Sequence, residues 1–406
     1  MIEPLSWKDL EKLQAEDIER VNDVNNSYTN LRLFGHRESD VKLIFYRDRH
    51  SWCPYCQKIW LWLEFKKIPY KVKKINMFCY GEKEKWFLRK VSSGKLPVIE
   101  LGDNIITESD QIISFLENEY GPLGSSISSN NLSKVRQLER EIFRSWCEWL
   151  CRDSYLFSDN SYRKRKFTDS LHKLEKLLSF SKTGLIDPVY KNKSFIPGTG
   201  DIIFVPYMER INASTCYFKG FNLRSNYPFI DKWLCLFENQ SEYIGTQGDF
   251  HTHAHDLPPQ MGGCFKEKNN EQEYFSHQID IGNGLGNLEY YKNNNLSYYS
   301  RFSLMRVIKH KNKIIKANPC EDNIFDFSLR CALTFLITKE VCKPNINSGS
   351  GLIYLRDRIS VPRDMPLLSA RLLRKSLNEI SCLCDFSHVH EISFKNRYDQ
   401  DPKQFI

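Results

Sequence analysis

Apolar and polar residues between positions 41 and 121 change period several times, from strand-like runs to helix-like spacing. Seven elements are predicted there: strands at Val41–Tyr46 and Pro69–Ile75, helices at Lys58–Phe65 and Glu82–Lys90, strands at Val98–Leu101 and Ile105–Thr107, and a helix at Glu108–Tyr120. The turn Gly102-Asp103-Asn104 joins the last two strands into a hairpin. The order is strand, helix, strand, followed by a hairpin and a helix, which predicts an α/β domain.

A stretch rich in Gly, Ser and Asn, residues 121–131, ends this domain, and the pattern beyond it becomes helical. Apolar residues of Leu132–Cys151 recur every three or four positions with charged residues between them, as on one face of a helix. Further helices are predicted at Lys164–Phe180, Asp201–Phe218 and Pro228–Phe237. Residues 132–260 are therefore predicted to form an all-helical domain.

The two ends of the chain add further segments. Residues 1–40 are interpreted as a lead-in without a core, with a helix from Ser6 to about Val24 and Ser6 as its N-cap. Residues 262–295 are polar and are interpreted as a long connection. Helical patterns return in four segments: Ser303–Ala317, Glu321–Thr338, Gly351–Ile359 and Pro366–Leu383. The predicted divisions are thus 1–40, 41–121, 132–260, and a linker with a mainly helical extension over 261–406.

Length and composition narrow the class of protein. The 406 residues, 41% of them hydrophobic, are enough for two or three cores. The sequence shows neither the apolar stretch of a signal peptide nor an uninterrupted apolar run of about 18 residues, so neither export nor a membrane span is expected. Thirteen scattered cysteines then indicate reduced thiols in a cytoplasmic protein. The formal charge of +8 is spread along the chain in runs typical of solvated helix faces, so no nucleic-acid partner is expected.

The candidate chemistry centres on Cys53-Pro54-Tyr55-Cys56, between a predicted strand and a predicted helix. The N–H groups and the positive dipole at a helix start lower the pKa of a thiol into a range of roughly 3.5 to 7.5, which makes Cys53 the expected nucleophile. Pro54 suits a first helical turn, and Cys56 lies within disulfide reach of Cys53. The alternatives are half of a metal site or two inert core cysteines, but the sequence has no second Cys-x-x-Cys to complete a zinc site. A dithiol redox motif is therefore predicted.

Several segments together resemble the glutathione transferase superfamily. Lys95-Leu96-Pro97-Val98 resembles the cis-proline loop of that family, and Ile106-Thr107-Glu108-Ser109 resembles its acidic-hydroxyl pair before the third helix. Gly200–Tyr207 is similar to the family's helix-capping segment, although Gly198 stands where the family usually has Ser or Thr. The resemblance implies an α/β thioredoxin-like N-terminal domain, then an all-α glutathione-transferase-type bundle and, here, a mainly helical C-terminal extension.

Among subclasses, the cysteine-type ones fit the sequence, since Cys53 occupies the reactive position. Four runs resemble the iota-type class of photosynthetic organisms, which carries a C-terminal extension: Tyr46–Cys53, Met77–Lys83, His253–Gln260 and Leu355–Met365. The resemblance covers nearly all of the chain beyond residue 40.

The resemblance implies glutathione as the co-substrate. The N–H and C=O of Leu96, before a cis Pro97, would pair with glutathione in strand-like fashion. Ser109 and the helix N–H groups beside it would take the glutamyl carboxylate, and Glu108 would take the glutamyl ammonium. Lys95 is either a partner of a glutathione carboxylate or a solvated loop lysine.

The expected activity is thiol transfer. The Cys53 thiolate attacks a glutathionylated substrate or a small electrophile, a mixed disulfide with glutathione forms, and a second glutathione releases the enzyme, with Cys56 as an auxiliary residue. Two alternatives stay open: conventional conjugation of glutathione to electrophiles, and a non-catalytic glutathione- or ligand-binding scaffold. The superfamily is commonly dimeric, so a homodimer is one expected state, although a long extension could also replace that interface.

No metal is expected. Two clusters could offer ligands: His251, His253 and His255 with Asp256, and Cys382, Cys384, His388 and His390. The first three histidines alternate as in an extended segment and are interpreted as structural loop residues. The spacing of the second cluster matches no common structural zinc module.

Overall fold

The computed structural model describes residues 2–17, 21–22, 24–153, 160–285, 295–384, 395–401 and 403. An α/β domain comes first, a helical domain follows, and a further set of helices forms the C-terminal region. The expected fold class is therefore confirmed.

The N-terminal part of the chain holds a mixed sheet and its helices. Its elements are α1 (Trp7–Leu13), β1 (Leu31–Arg32), β2 (Leu43–Asp48), α2 (Pro54–Lys66), β3 (Tyr70–Ile75), α3 (Lys85–Lys90), β4 (Val98–Leu101), β5 (Asn104–Thr107) and α4 (Ser109–Tyr120). The strands lie in the order β1-β3-β2-β4-β5, with β2 and β3 parallel and the other neighbours antiparallel. A parallel pair requires a crossover, which α2 supplies. All seven predicted elements are present, and β1 is an addition that the sequence pattern did not predict.

The helical domain is built around one buried helix. Its elements are α5 (Asn130–Leu150), α6 (Asn160–Ser179), β6 (Pro188–Lys191), β7 (Ser194–Pro197), α7 (Thr199–Lys219), α8 (Leu223–Asn226), α9 (Pro228–Glu238), α10 (Ser241–Ile244) and α11 (Phe250–Met261). All residues of α7 are buried, and α2, α5 and α11 pack on it. The small antiparallel hairpin β6–β7 is an exception to the predicted all-helical content.

Asp201 fixes the start of α7. Its carboxylate accepts the N–H groups of Ile186 and Asp187, each at 2.8 Å, and the indole N–H of Trp233, also at 2.8 Å. Burial raises the pKa of Asp201 to about 6. The capping segment is thus anchored through Asp201, although Gly198 offers no side chain.

The C-terminal region contains α12 (Asn270–Asp280), α13 (Leu296–Ala317), α14 (Asp322–Thr338), α15 (Gly349–Arg358) and α16 (Leu367–Ser381). The last four match the predicted helical segments. The interpretation of residues 262–295 as a connection is wrong over α12, which packs on α7. Asn269 caps this helix by accepting the Gln272 N–H at 2.8 Å, and Gln272 Nε2 donates to the Tyr217 carbonyl at 2.8 Å. Because polar contacts hold α12 in place, its sequence does not show the repeat of apolar residues from which a helix is predicted.

Most buried hydrophobic side chains of the described residues belong to two large cores, and a small third cluster lies between the sheet and α3. The larger one joins the sheet to the helical domain, and the second lies among α13, α14, α15 and α16. The N-terminal helix α1 belongs to the second core, where Leu10 is fully buried and Trp7 Nε1 donates to Asp326 of α14 at 2.7 Å. Ser6 caps α1 as predicted, its Oγ accepting the Asp9 N–H at 3.2 Å, but the helix ends at Leu13. The interpretation of the first residues as a lead-in without a core is therefore wrong.

Among the residues that the structure describes, no helix combines the length and the apolar character needed to cross a bilayer.

Candidate functional site

Strand pairing brings three segments to one end of the sheet. Val98 of β4 lies opposite Tyr46 of β2 on one side and opposite Thr107 of β5 on the other. Continuing the strands past these pairs leads to the Trp52–Cys53 turn, to Leu96-Pro97 and to Glu108-Ser109. The residues that the sequence analysis selected as nucleophile and as glutathione partners therefore occupy one edge.

Cys53 is the N-cap residue of α2, and Pro54 is the first residue of that helix. The Cys53 carbonyl accepts the N–H of Gln57 at 3.0 Å, as the first bond of the helix. Proline costs nothing here because the first N–H groups of a helix have no intrahelical acceptor. Cys53 is 7% exposed and Cys56 is 1% exposed. Cys53 therefore stands at the helix start, at the surface end of a buried dithiol.

Asp48, the last residue of β2, organises this turn. Its Oδ2 accepts the N–H of Trp52 at 2.6 Å and that of Cys53 at 3.2 Å. The carboxylate and the thiols of Cys53 and Cys56 lie within 4.8 Å of one another. Burial, the Cys53 thiol and the Asp48 charge raise the pKa of Cys56 well above its usual value. In the resting protein, before Cys53 forms a mixed disulfide, the Cys56 thiol is therefore favoured over its thiolate.

Buried cations balance the charge of Asp48. Arg210, from α7, donates from Nε to the Trp52 carbonyl at 3.2 Å and from Nη1 to Gln57 Oε1 at 2.8 Å. Arg47 donates to Ser51 Oγ at 2.7 Å, and its guanidinium lies 4.3 Å from the ring centroid of Trp60. These contacts connect the turn to α7 of the helical domain and to α2.

Lys83 adds a third cation to this set. It is buried, and its ammonium donates to the Gly94 carbonyl. Burial lowers the pKa of Lys83, whereas negative charge on Cys56 and Cys53 would raise it. An anionic sulfur at this turn is therefore stabilised by a lysine that the sequence analysis did not select.

The opposite side of the edge carries the other selected residues. The Leu96–Pro97 peptide bond is cis, as the resemblance implied. Glu108 precedes α4 with φ at +64°, and Ser109, the first residue of α4, is 7% exposed. Lys95 Nζ lies 3.4 Å from Glu108 Oε1, and both side chains are exposed. Lys95 and Glu108 are thus neighbours, so an incoming zwitterion such as the glutamyl group meets one group of each charge.

Asp48, Arg210 and Lys83 are the functional residues that sequence reasoning missed. Asp48 and Lys83 lie inside two of the runs used for the subclass resemblance, so the sequence did contain a signal for them. Arg210 gave no local signal, because it reaches the turn from a helix more than 150 residues later.

The first candidate metal cluster is not a loop. His251, His253 and His255 lie in α11 and are buried, so their interpretation as extended loop residues is wrong. His253 Nε2 lies 2.6 Å from Glu209 Oε1, and His255 Nε2 lies 2.8 Å from Asp280 Oδ1. Each of these two rings therefore has a carboxylate partner. In the second cluster, His388 and His390 lie outside the described residues.

The four runs that resemble the iota-type class converge behind the Cys53 turn. The ring of His50 stacks on that of Tyr80, with centroids 3.4 Å apart and planes within 5°. The N–H of Val361 donates to Thr252 Oγ1 at 2.9 Å, one residue before the third run. Gln260 donates to the thiol of Cys79. The C-terminal region is therefore in contact with the segments that pack against the Cys53 turn.

Comparison with known proteins supports a relationship for part of the chain. Residues 52–119 match the family model of the glutathione S-transferase N-terminal domain. The chain is 23% identical over 203 residues to glutathione S-transferase DHAR3, chloroplastic, of Arabidopsis thaliana, covering 48% of this chain and 69% of that protein. It is 41% identical over 68 residues to glutathione S-transferase DHAR2 of the same plant, covering 17% and 30%.

Among solved structures, dehydroascorbate reductase of Chlamydomonas reinhardtii is similar, with 20% identity and a TM-score of 0.41 over 50% of this chain and 91% of that one.

Proposed function

We propose that this chain is a glutathione-dependent thiol transferase or reductase of the glutathione S-transferase superfamily, with Cys53 as nucleophile, and the match of residues 52–119 to the N-terminal domain of that family supports the proposal. The observation that carries the proposal is the shared edge of the sheet. A thiol at a helix start, the main-chain groups around Leu96-Pro97 and the Glu108-Ser109 pair meet there. Curated relatives named as glutathione S-transferases support glutathione as the co-substrate.

Glutathione has a peptide-like centre and a charged glutamyl end, and the edge offers a partner for each. The main-chain N–H and C=O of Leu96 pair with the cysteinyl part in the manner of an added strand. The N–H groups at the start of α4 and the Ser109 hydroxyl donate hydrogen bonds to the glutamyl carboxylate, because a helix N-terminus attracts anions. Glu108 takes the ammonium and Lys95 a carboxylate. The glutathione sulfur is thereby directed toward Cys53.

The reaction is a thiol-disulfide exchange. The Cys53 thiolate attacks the glutathione sulfur of a glutathionylated substrate, the S–S bond breaks, and the substrate leaves as a thiol after taking up a proton. A second glutathione thiolate then attacks the Cys53 mixed disulfide and leaves as glutathione disulfide. Arg210 and Lys83 stabilise anionic sulfur at the turn, while Asp48 positions its backbone. Cys56 is auxiliary because its proton is held by burial and by its neighbours.

The subclass is part of the same proposal. We assign the chain to the iota-type class on the four runs that converge behind the Cys53 turn, and to the cytoplasm on its cysteine content. In this assignment the C-terminal extension packs against the segments next to the Cys53 turn, and α1 belongs to the second hydrophobic core together with the helices of the extension.

The test is adduct mapping with the whole chain. The reduced protein is incubated with glutathione disulfide, and adducts are located by mass spectrometry in the wild type, Cys53→Ser and Cys56→Ser. Turnover of a glutathionylated model peptide is measured in parallel with glutathione as reductant. We expect an adduct on Cys53 in the wild type and in Cys56→Ser, and loss of both the Cys53 adduct and turnover in Cys53→Ser.

The partly exposed Cys235 provides an internal reference, since it stands away from the Cys53 turn beside Arg224. Adducts on Cys235 at the same rate as on Cys53 would show that Cys53 has no special reactivity and would favour the scaffold alternative. Conjugation of a small electrophile that persists in Cys53→Ser would favour conventional transferase chemistry.

A further inference from the structure

Two cysteines outside the Cys53 site lie side by side where the helical domain meets the C-terminal region. Cys151 follows the last residue of α5, and Cys264 lies in the segment between α11 and α12. The thiol of one hydrogen-bonds to the thiol of the other. Both are only half-buried, so both are within reach of solvent. Nothing in the chemistry at Cys53 uses them.

Backbone hydrogen bonds fix this neighbourhood. The N–H of Phe265 donates to the Leu150 carbonyl at 2.9 Å, so the residues next to each cysteine are joined directly. The N–H of Glu267 donates to the Phe218 carbonyl at 2.7 Å. The segment that carries Cys264 is therefore held at both the end of α5 and the end of α7, and the proximity of the two sulfurs does not depend on side-chain rotamers alone.

A buried ammonium faces the pair. Lys219, the last residue of α7, is 5% exposed, and its Nζ lies 3.7 Å from Glu267 Oε1. The hydrogen bond from Cys264 and the charge of Lys219 lower the pKa of Cys151, although burial opposes them. The same hydrogen bond and burial raise the pKa of Cys264. These directions favour a thiolate on Cys151 rather than on Cys264.

We propose that Cys151 and Cys264 form a second redox-active dithiol, which a low-molecular-weight disulfide such as glutathione disulfide oxidises to an intramolecular disulfide. The Cys151 thiolate attacks one sulfur of glutathione disulfide, its S–S bond breaks, and one glutathione leaves and is protonated. The Cys264 sulfur loses its proton and attacks the Cys151 sulfur of the mixed disulfide, and the second glutathione leaves. Two protein thiols are oxidised, and one glutathione disulfide is reduced to two glutathiones. The resulting Cys151–Cys264 disulfide covalently links the end of α5 to the segment that leads into the C-terminal region.

A second thiol pair in the same chain provides a matched comparison. Cys331 and Cys342 also hydrogen-bond to each other, but both are completely buried in the second core. Burial raises the pKa of each of these thiols, that of Cys331 to about 12. Proximity alone would make both pairs oxidise, whereas access and thiolate character select Cys151–Cys264.

The experiment uses the full chain carrying Cys53→Ser and Cys56→Ser, so that its outcome is independent of the proposed function. The reduced protein is treated with glutathione disulfide at pH 7, free thiols are blocked at timed intervals, and peptides are mapped without reduction. We expect a linked peptide joining Cys151 to Cys264 and none joining Cys331 to Cys342. With Cys264→Ser added, the expected product is a glutathione mixed disulfide trapped on Cys151.

Lys219→Met tests the role of the ammonium, with the exposed Lys268→Met as the matched control. Each unit by which the pKa of Cys151 rises lowers its thiolate fraction about tenfold, so Lys219→Met should slow oxidation while Lys268→Met leaves the rate unchanged. Absence of the 151–264 link while Cys235 becomes glutathionylated would overturn the proposal. Equal rates for the 151–264 and 331–342 pairs would also overturn it, and a circular dichroism spectrum equal to that of the parent confirms that each variant is folded.

Discussion

Nη1 of Arg397 donates to Oδ1 of Asp256 across 2.9 Å, and the side chains of the pair are 3% and 4% exposed. Asp256 lies in α11, and Arg397 lies near the end of the chain. The N–H of Arg397 also donates to the Cys79 carbonyl at 2.7 Å, next to the Tyr80 ring on which His50 stacks. Arg397 of the C-terminal region therefore links the helical domain to the Cys79–Tyr80 segment, which packs against the residues before the Cys53 turn.

Replacing Arg397 by Met should destabilise the protein strongly. A buried carboxylate that loses its hydrogen-bonded cation costs about 3–5 kcal/mol, because its charge is then left in a poorly solvated site without its ion-pair partner. We expect the free energy of unfolding, measured by urea denaturation, to fall by this amount in Arg397→Met.

The exposed ion pair between Lys403 and Glu82, at 3.5 Å, is the matched control, since both of its side chains are at least half exposed. Lys403→Met should cost no more than about 1 kcal/mol. In the double variant Arg397→Met with Asp256→Leu the buried charge is gone, so stability should return in part. Equal losses in Arg397→Met and Lys403→Met would contradict the role of the buried pair.

Buried histidines should make the folded state sensitive to mild acid. Burial, then the charge of Arg374, lowers the pKa of His251 to about 3, and burial also lowers that of His253. Because the unfolded chain takes up these protons near pH 6.5 and the folded chain does not, stability is lost as the pH falls below about 6.5. His251 alone should cost about 2 kcal/mol at pH 5. Asp201 acts in the opposite direction, since its pKa is raised to about 6 and its proton is favoured in the folded state.

The measurement is the free energy of unfolding between pH 7.5 and pH 5 for the wild type and His251→Gln. Glutamine keeps hydrogen-bonding groups but does not titrate, so the variant should lose about 2 kcal/mol less than the wild type over this range. A constant offset between the two curves would contradict the prediction, because it would mean that His251 has the same pKa in the folded and unfolded states.

The local parts of the site could be predicted from the sequence because their causes are local. Cys53 before Pro54 at a strand-to-helix turn, the Ser6 cap of α1 and the cis bond before Pro97 each depend on a few adjacent residues or on the resemblance. The four C-terminal helices were found because α13 to α16 keep an apolar face toward their own core.

The rest depends on contacts that sequence periodicity does not contain. His251, His253 and His255 suggested an extended segment, yet residues 250–258 of α11 are almost entirely buried, and a helix buried on all sides has no polar face to produce a helical period. Arg397 and Asp256 are 141 positions apart in the sequence, so no local pattern predicts their ion pair.

Glu108 should lower the stability of the protein through backbone strain while its carboxylate strengthens glutathione binding. Its φ of +64° lies in the region that residues with a Cβ adopt only under strain, at a cost of about 1–3 kcal/mol. Glu108→Gly removes that strain and also the carboxylate that we assign to the glutamyl ammonium. We therefore expect unchanged or higher stability together with a higher KM for glutathione.

Lys95→Met is the companion variant to Glu108→Gly. The Lys95–Glu108 pair is exposed, so its loss should change stability by less than about 1 kcal/mol while again raising the KM for glutathione. A Glu108→Gly enzyme with normal glutathione affinity would remove Glu108 from the proposed binding residues.

Asp48 should control whether the chemistry stays with one thiol or uses both. Its Oδ2 accepts both backbone N–H groups of the turn, so Asp48→Asn can keep these bonds through its remaining amide oxygen while it loses the charge. Burial and Cys53 keep the pKa of Cys56 high, and the Asp48 charge adds to them. The variant should therefore lower the pKa of Cys56, and each unit raises its thiolate fraction about tenfold at neutral pH.

The measurement follows the wild type and Asp48→Asn after a single addition of glutathione disulfide, by intact mass and by peptide mapping. We expect the Cys53–glutathione adduct to convert to a Cys53–Cys56 disulfide faster in the variant, because the Cys56 thiolate expels glutathione. Asp103→Asn, in the exposed turn between β4 and β5, should behave as the wild type. If Asp48→Asn instead slows conversion, the carboxylate accepts the proton of Cys56 during the attack, and Asp48 is then a general base for the second thiol.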